Sequence, residues 1–239
     1  MGTERIGTSG NRAEQPAAGE RPAGREAAGA VDLGSRTIPQ QRRALMRRDA
    51  ILDATLALLM EREVGEITTT LIAARAGVPV GLVYRYFPNK FAILSELARR
   101  AMDRVDTRLE ALMAGGMEPQ AIARAVDEGI ETIIETYRLE PGPRRLFRAV
   151  RTVPELASVL ATSNARMVAA LRRTLAALRP DASALEVEAV ARTTVQVYTH
   201  LEALAIECDN PDLFPLLLAE WKRLAAGYLS RFATGQTGE

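Results

Sequence analysis

Few residues in this 239-residue chain are of types that do chemistry, and their numbers narrow the choice further. His200 is the only histidine and Cys208 the only cysteine. A histidine-based triad or a multi-histidine metal site therefore has almost nothing to draw on. His200, beside Tyr198 and Leu201, reads as a packed or surface residue. Cys208 adjoins Asp209, an acidic neighbour that opposes a reactive thiolate. Glu202 and Glu207 read as acids on a solvated helix face. No catalytic constellation emerges, and no metal or cofactor is implied. What does recur is a polar, aromatic and basic set inside residues 67–93, with Thr68, Thr69, Thr70, Tyr84, Tyr86 and Lys90.

The elements that must position this set follow from local signals. Leu45, Ile51, Leu52, Leu58 and Leu59 recur at helical spacing and predict an amphipathic helix over Gln40–Arg62. Arg42, Arg43, Arg47 and Arg48 crowd its N-terminal half, opposing the helix dipole; a phosphate backbone or simple solvation would each accommodate them. Thr68 is a good N-cap, with Ile67 and Ile72 placed as a hydrophobic staple around it. Gly77 ends the short helix that follows, because glycine enters the left-handed region without steric penalty. Pro79 suits the start of the next helix, where a missing N–H costs little. In that helix Val83 and Phe87 are spaced to face a core, leaving Val80, Gly81, Tyr84 and Arg85 outside. Asn89 can cap a third helix from Lys90 to Met113.

Two short helices around a glycine turn form a helix-turn-helix pattern, whose second helix enters the DNA major groove. The segment from Leu45 to Leu94 resembles the DNA-binding domain of the TetR (tetracycline-repressor-like) family of one-component regulators. The signature reads Thr68-Thr69, Ile72-Ala73, Ala76-Gly77-Val78, Gly81, Tyr84, Tyr86-Phe87 and Lys90. The resemblance implies that Thr69, Tyr84, Tyr86 and Lys90 contact phosphates. A hydroxyl, two phenols and an ammonium near a helix N-terminus suit an anion. It also implies that Thr70, Val80, Gly81 and Leu82 approach base edges, with Arg85 as a supplement. Pro79 and Val80 replace residues that are often polar in the family. Neither has a donor for bidentate readout, which shifts specificity toward thymine methyls and DNA shape.

Past Ala114-Gly115-Gly116, helices are expected at Pro119–Arg138, Pro143–Arg151, Pro154–Leu178, Ala184–Cys208 and Pro211–Phe232, separated by breaks such as Glu140-Pro141-Gly142. No strand alternation, glycine-rich phosphate loop or internal repeat appears. On the last two helices the apolar residues spread wider than the ~100° one buried face requires, which suggests a helical dimer interface. The resemblance implies a homodimer through these two helices, a double-stranded palindromic DNA partner, and a small-molecule effector inside the bundle. Phe147, Met167 and Tyr198 are the pocket candidates. Arg144, Arg145, Arg148 and Arg151 form a basic run; Arg144, Arg148 and Arg151 share one helical face and could meet an anionic ligand or acids elsewhere, with a solvated face as the default.

Net charge is +1, but residues 40–92 carry +3 of it and the rest −2, a basic bias on one segment. A single cysteine forms no intramolecular disulfide and no apolar run of membrane-spanning length occurs, so a cytoplasmic protein with no membrane partner is expected. The fold class is all-α, with an N-terminal helix-turn-helix three-helix domain and a C-terminal helical effector-binding and dimerisation bundle. Its expected divisions are a disordered tail at 1–39, a DNA-binding domain at 40–92, and a ligand-binding and dimerisation domain at 93–239. The resulting function is a dimeric, ligand-released DNA-binding regulator, a repressor rather than an enzyme. The rival is a helical-bundle enzyme using the C-terminal cavity, which lacks a visible nucleophile, base or metal set.

Overall fold

The computed structural model describes residues 42–114, 119–138 and 141–235; the expected tail over 1–39 lies outside them. The elements are α1 (Arg42–Glu61), α2 (Thr69–Ala76), α3 (Val80–Tyr86), α4 (Lys90–Ala114), α5 (Ile122–Tyr137), α6 (Pro141–Thr152), α7 (Ala157–Leu178), α8 (Ala184–Glu207) and α9 (Leu213–Ala233). Short 3-10 turns at Val64–Glu66, Pro119–Ala121 and Pro154–Leu156 link some of them, and no strand occurs among the described residues.

The N-terminal caps form as the local sequence dictates. Thr68 accepts from the Leu71 N–H at 3.2 Å, Gly77 lies at φ 65°, and Asn89 Oδ1 accepts from the Ala92 N–H at 3.0 Å. Each satisfies a backbone group that a helix end would otherwise leave without a partner. Ile67 and Ile72 are both fully buried, with Ile51, Leu58, Leu59, Val83, Phe87, Ile93 and Leu94 completing the N-terminal core.

α4 runs from that core into the bundle. Ala92, Ile93 and Leu94 are buried in the core shared with Val83 and Phe87, whereas Met102, Val105 and Asp106, farther along the helix, line a cavity. Glu96 fixes the helix to α1, with Arg48 at 2.9 Å on a pair that is nearly buried on both sides. Burial alone would raise the Glu96 carboxyl, but hydrogen bonds from Arg48, Arg99 and Arg100 outweigh it and hold the group below its ordinary value. Arg100 also reaches Asp49 of α1 at 3.1 Å.

One expected helix, Pro143–Arg151, begins two residues earlier, at Pro141. Pro141 and Gly142 open α6 rather than interrupt the chain, because proline is tolerated in a first helical turn. Gly142 is required by tertiary packing: a Cβ there would meet Met60 Sδ at 2.7 Å and the Leu56 carbonyl at 3.3 Å, so α6 lies directly against α1.

The basic run on α6 is not left to solvent. Arg145 donates to the Leu59 carbonyl at 2.8 Å and to Glu63 at 3.0 Å. Arg144 pairs with Asp209 at 2.6 Å, and Arg151 donates to the Thr199 carbonyl at 3.0 Å. Three of these arginines therefore tie α6 to α1, to α8 and to the turn before α9. The Arg145 bonds add to the Gly142 contact in holding α6 to the end of α1.

Candidate nucleic-acid interface and effector cavity

On the helix-turn-helix, Val80, Gly81, Tyr84 and Arg85 share the outer face of α3, and Val80 and Tyr84 are 42% and 45% exposed. Inside the same helix Val83 is fully buried, so the outward face is fixed by the core beneath it. A Cβ at Gly81 would meet nothing within 4 Å. Folding thus places no demand for glycine there, and a close approach from outside is open. Thr70 is exposed, whereas Leu82 is half-buried and packs against the core.

The residues expected at phosphates divide into two groups. Thr69 Oγ1 and the Tyr84 hydroxyl lie 2.9 Å apart at the surface, joining α2 to α3. Tyr86 is placed otherwise, only 4% exposed and within the core. Lys90 donates to the carbonyls of Val64, Gly65 and Ile67 at 3.2, 3.4 and 3.1 Å, and sits 5.5 Å from the Phe91 ring centroid. The ammonium thereby neutralises carbonyls converging from the turn before α2. Lys90→Met should lower stability by about 1–2 kcal/mol through loss of these bonds, read by urea unfolding. An unchanged midpoint would show that the ammonium does not hold the turn.

In the bundle a cavity of about 170 Å³ opens among α4 to α9. Phe147, Met167 and Tyr198 all line it, with Met102, Val105, Leu109 and Ile130 among the apolar walls. Tyr198 and Trp221 meet edge-on at 6.5 Å, and Tyr137 and Phe147 lie 5.1 Å apart.

Two acids, neither singled out from the sequence as a site residue, also line this cavity. Asp106 accepts from Ser163 through both carboxylate oxygens at 3.0 Å; burial pushes its carboxyl up to about 6 against that bond. Glu202 is not on a solvated face. It is half-buried and lines the cavity, and burial pushes its carboxyl up to about 8, opposed by Arg151 and assisted by Asp106. An available signal was position: Asp106 falls within the apolar stripe of α4, and Glu202 one turn after Tyr198.

The other chemically capable residues are placed plainly. His200 is exposed, with Nδ1 2.8 Å from the Gln196 carbonyl. Cys208 follows the end of α8, its thiol 3.5 Å from the Asn210 carbonyl. Among the described residues no group of three or more His, Cys, Asp or Glu is arranged to hold a metal ion, and no helix is long and apolar enough to cross a membrane.

A helix-turn-helix carried by one long helix into a cavity-bearing helical bundle defines the class of molecule. The model for bacterial regulatory proteins of the tetR family matches residues 51–97, and the model for the tetracyclin repressor-like C-terminal domain matches residues 121–229. The chain belongs to the TetR family. It is 39% identical over 77 residues to the HTH-type transcriptional repressor KstR of Mycolicibacterium smegmatis, covering 32% of this chain and 38% of that protein. The curated relatives it matches are spanned over 29% to 49% of their own length. A TetR-family transcriptional regulator from Streptomyces coelicolor superposes with a TM-score of 0.56 at 26% identity, over 79% of this chain and 98% of that one. One from Syntrophomonas wolfei does so with a TM-score of 0.60 at 15% identity, over 80% and 96%.

Proposed function

We propose that this protein is a transcriptional repressor that binds a palindromic operator as a dimer and releases it when a small molecule occupies the bundle cavity. The observation that carries this reading is the joining of two sites by one helix. At one end α4 is buried, through Ala92, Ile93 and Leu94, in the core that also holds Val83 of α3, and at the other it lines the cavity. α6 adds a second link, with Phe147 in the cavity wall and Gly142 and Arg145 against α1. A ligand that alters the distance between α4 and its neighbours would tilt the DNA-reading elements.

Thr69, Tyr84 and Lys90 serve phosphate contacts in this reading, with Lys90 exchanging its carbonyls for an anion. Tyr86 contributes through its hydroxyl or by seating α3 from within. Thr70, Val80, Gly81, Leu82 and Arg85 form the base-facing set. Residues 40–92 then act as the DNA-binding domain and 93–239 as the effector-binding and dimerisation domain.

The dimer reading is supported by the outer surface of the last two helices. Trp221, Ala225, Leu229 and Phe232 turn inward, leaving Leu216, Leu224 and Tyr228 on α9 and Val197 and Leu204 on α8 exposed. A second copy of the same pair of helices would cover this apolar face in a twofold arrangement.

Mobility shift with the DNA upstream of the protein's own gene tests the function. Binding should weaken with rising salt, as counterion release requires, and Tyr84→Ala should weaken it by about tenfold while leaving the fold intact. Binding that ignores both salt and the substitution overturns the reading.

A further inference from the structure

The cavity carries more chemistry than a generic apolar pocket needs. No lysine, arginine or histidine lines it, yet two carboxyl groups do. Asp106 has its hydrogen-bond partner in Ser163, whereas among the described residues no hydrogen bond or ion pair reaches the Glu202 carboxyl. The nearby Arg151 is already committed to the Thr199 carbonyl at 3.0 Å and lies 5.6 Å from the Phe147 ring centroid.

Three further polar atoms in the wall are buried without partners: Trp221 Nε1, Thr194 Oγ1 and the Tyr198 hydroxyl. Trp221 and Thr194 are 1% and 2% exposed, so bulk water does not serve them. Buried polar groups are almost always satisfied in native proteins, so these atoms are open to hydrogen bonds from whatever enters the cavity. Thr194, Tyr198 and Glu202 recur every four residues along one face of α8, so the polar atoms form a stripe.

We propose that the effector is a lipophilic organic cation, an aryl-alkyl ammonium of one or two rings, whose charge is received by Glu202 and whose rings pack among Phe147, Tyr198 and Trp221. This rests on the reading of the cavity as the effector site. A cation suits the site on three counts. An ammonium satisfies an acid that has no other partner. Aromatic ring faces attract cations, most strongly in a desolvated site. The apolar wall stabilises the hydrophobic body by its burial. An anionic ligand would meet Glu202 and Asp106 with no compensating base. Size agrees as well: an engineered apolar cavity of about 150 Å³ accommodates benzene, and this one is about 170 Å³.

In the empty cavity burial pushes the Glu202 carboxyl up to about 8 and so favours its protonated form. On binding, that proton passes to solvent and the ammonium replaces it as the counter-charge. Asp106 from α4, Tyr137 from α5, Arg151 from α6 and Tyr198 on α8 itself are the titratable groups around this exchange.

Trp221 is the only tryptophan of the chain and lines the cavity, so its emission reports occupancy directly and without DNA. Full-length protein is titrated with 2-phenylethylamine, 2-phenylethanol and phenylacetate, probes of similar size and different charge. The amine should bind about ten- to a hundredfold more tightly than the alcohol, and phenylacetate most weakly. In Glu202→Gln the amine should fall to the affinity of the alcohol, with the alcohol itself unchanged. Equal binding of amine and alcohol, preference for phenylacetate, an amine preference that survives Glu202→Gln, or no response to any probe each overturns the proposal. Operator binding is read separately by mobility shift, so loss of the ligand result leaves the repressor reading standing, and the reverse.

Discussion

The paired substitution Leu216→Glu and Leu224→Glu is expected to convert a dimer into a monomer and to weaken binding to a palindromic operator by about a hundredfold or more. Leu216 and Leu224 are 63% and 58% exposed, with Tyr228 one turn beyond and Val197 and Leu204 on the neighbouring helix. In the free subunit the new carboxylates would lie in water and cost little. In a twofold interface each would be buried against apolar side chains or against its own symmetry mate, and an unpaired buried charge is strongly unfavourable. The loss on DNA follows from effective concentration: two half-site contacts held on one rigid dimer reinforce each other, and a monomer retains only one. Sedimentation with and without the substitutions measures the first effect and mobility shift the second. A wild-type protein that sediments as a monomer at micromolar concentration would defeat the prediction, as would a variant that stays dimeric.

Glu202→Gln is expected to stabilise the ligand-free protein at pH 8 and to change it little at pH 4.5. Burial raises the Glu202 carboxyl from an ordinary 4.5 to about 8, so the folded state holds a proton that the unfolded state has released. Stability contributed by this group is therefore present below pH 4.5 and falls as pH rises toward 8. Glutamine has the shape and hydrogen-bonding capacity of the protonated acid and nothing to ionise. Because water entering the cavity screens part of the penalty, a gain of about 2 kcal/mol at pH 8 is expected. Asp106 titrates in the same direction up to about pH 6 and remains in both proteins, so the difference keeps only its repulsion of the ionised Glu202. Urea unfolding at the two pH values supplies the measurement. A gain of the same size at both would show that ionisation is not its source. A gain confined to pH 8 would show that the buried acid costs the empty fold stability, as functional groups commonly do.

Much of the helix-turn-helix was legible because its signals are local. A hydroxyl cap at Thr68, a left-handed glycine at Gly77 and an amide cap at Asn89 act over three or four residues, and the structure places helix ends beside each. The alternation of inward Val83 and Phe87 with outward Val80, Gly81, Tyr84 and Arg85 also follows from helical period alone. Gly142 was not legible in that way. Glu140-Pro141-Gly142 looks like a chain break, and only the approach of Met60 from α1 shows why a glycine belongs inside the first turn of α6. The arginine run of α6 fits solvent equally well until the Leu59 carbonyl, Asp209 and the Thr199 carbonyl come within reach. Tyr86 and Lys90 carry side chains that suit phosphate, yet their places against the core and the preceding turn depend on contacts from other elements.

The sequence by itself determined the all-helical class, the helix-turn-helix with its outward face, and the family resemblance, because helix period, caps and motif spacing are short-range properties. The cavity acids were decided elsewhere. Glu202 on a lone helix is an ordinary solvated carboxylate; packed among α4 to α9 it lines an apolar cavity that pushes its carboxyl up. Burial and electrostatic partnership are properties of what surrounds a residue, and for Glu202 the surroundings come from segments far along the chain. Only the tertiary structure brings those segments together.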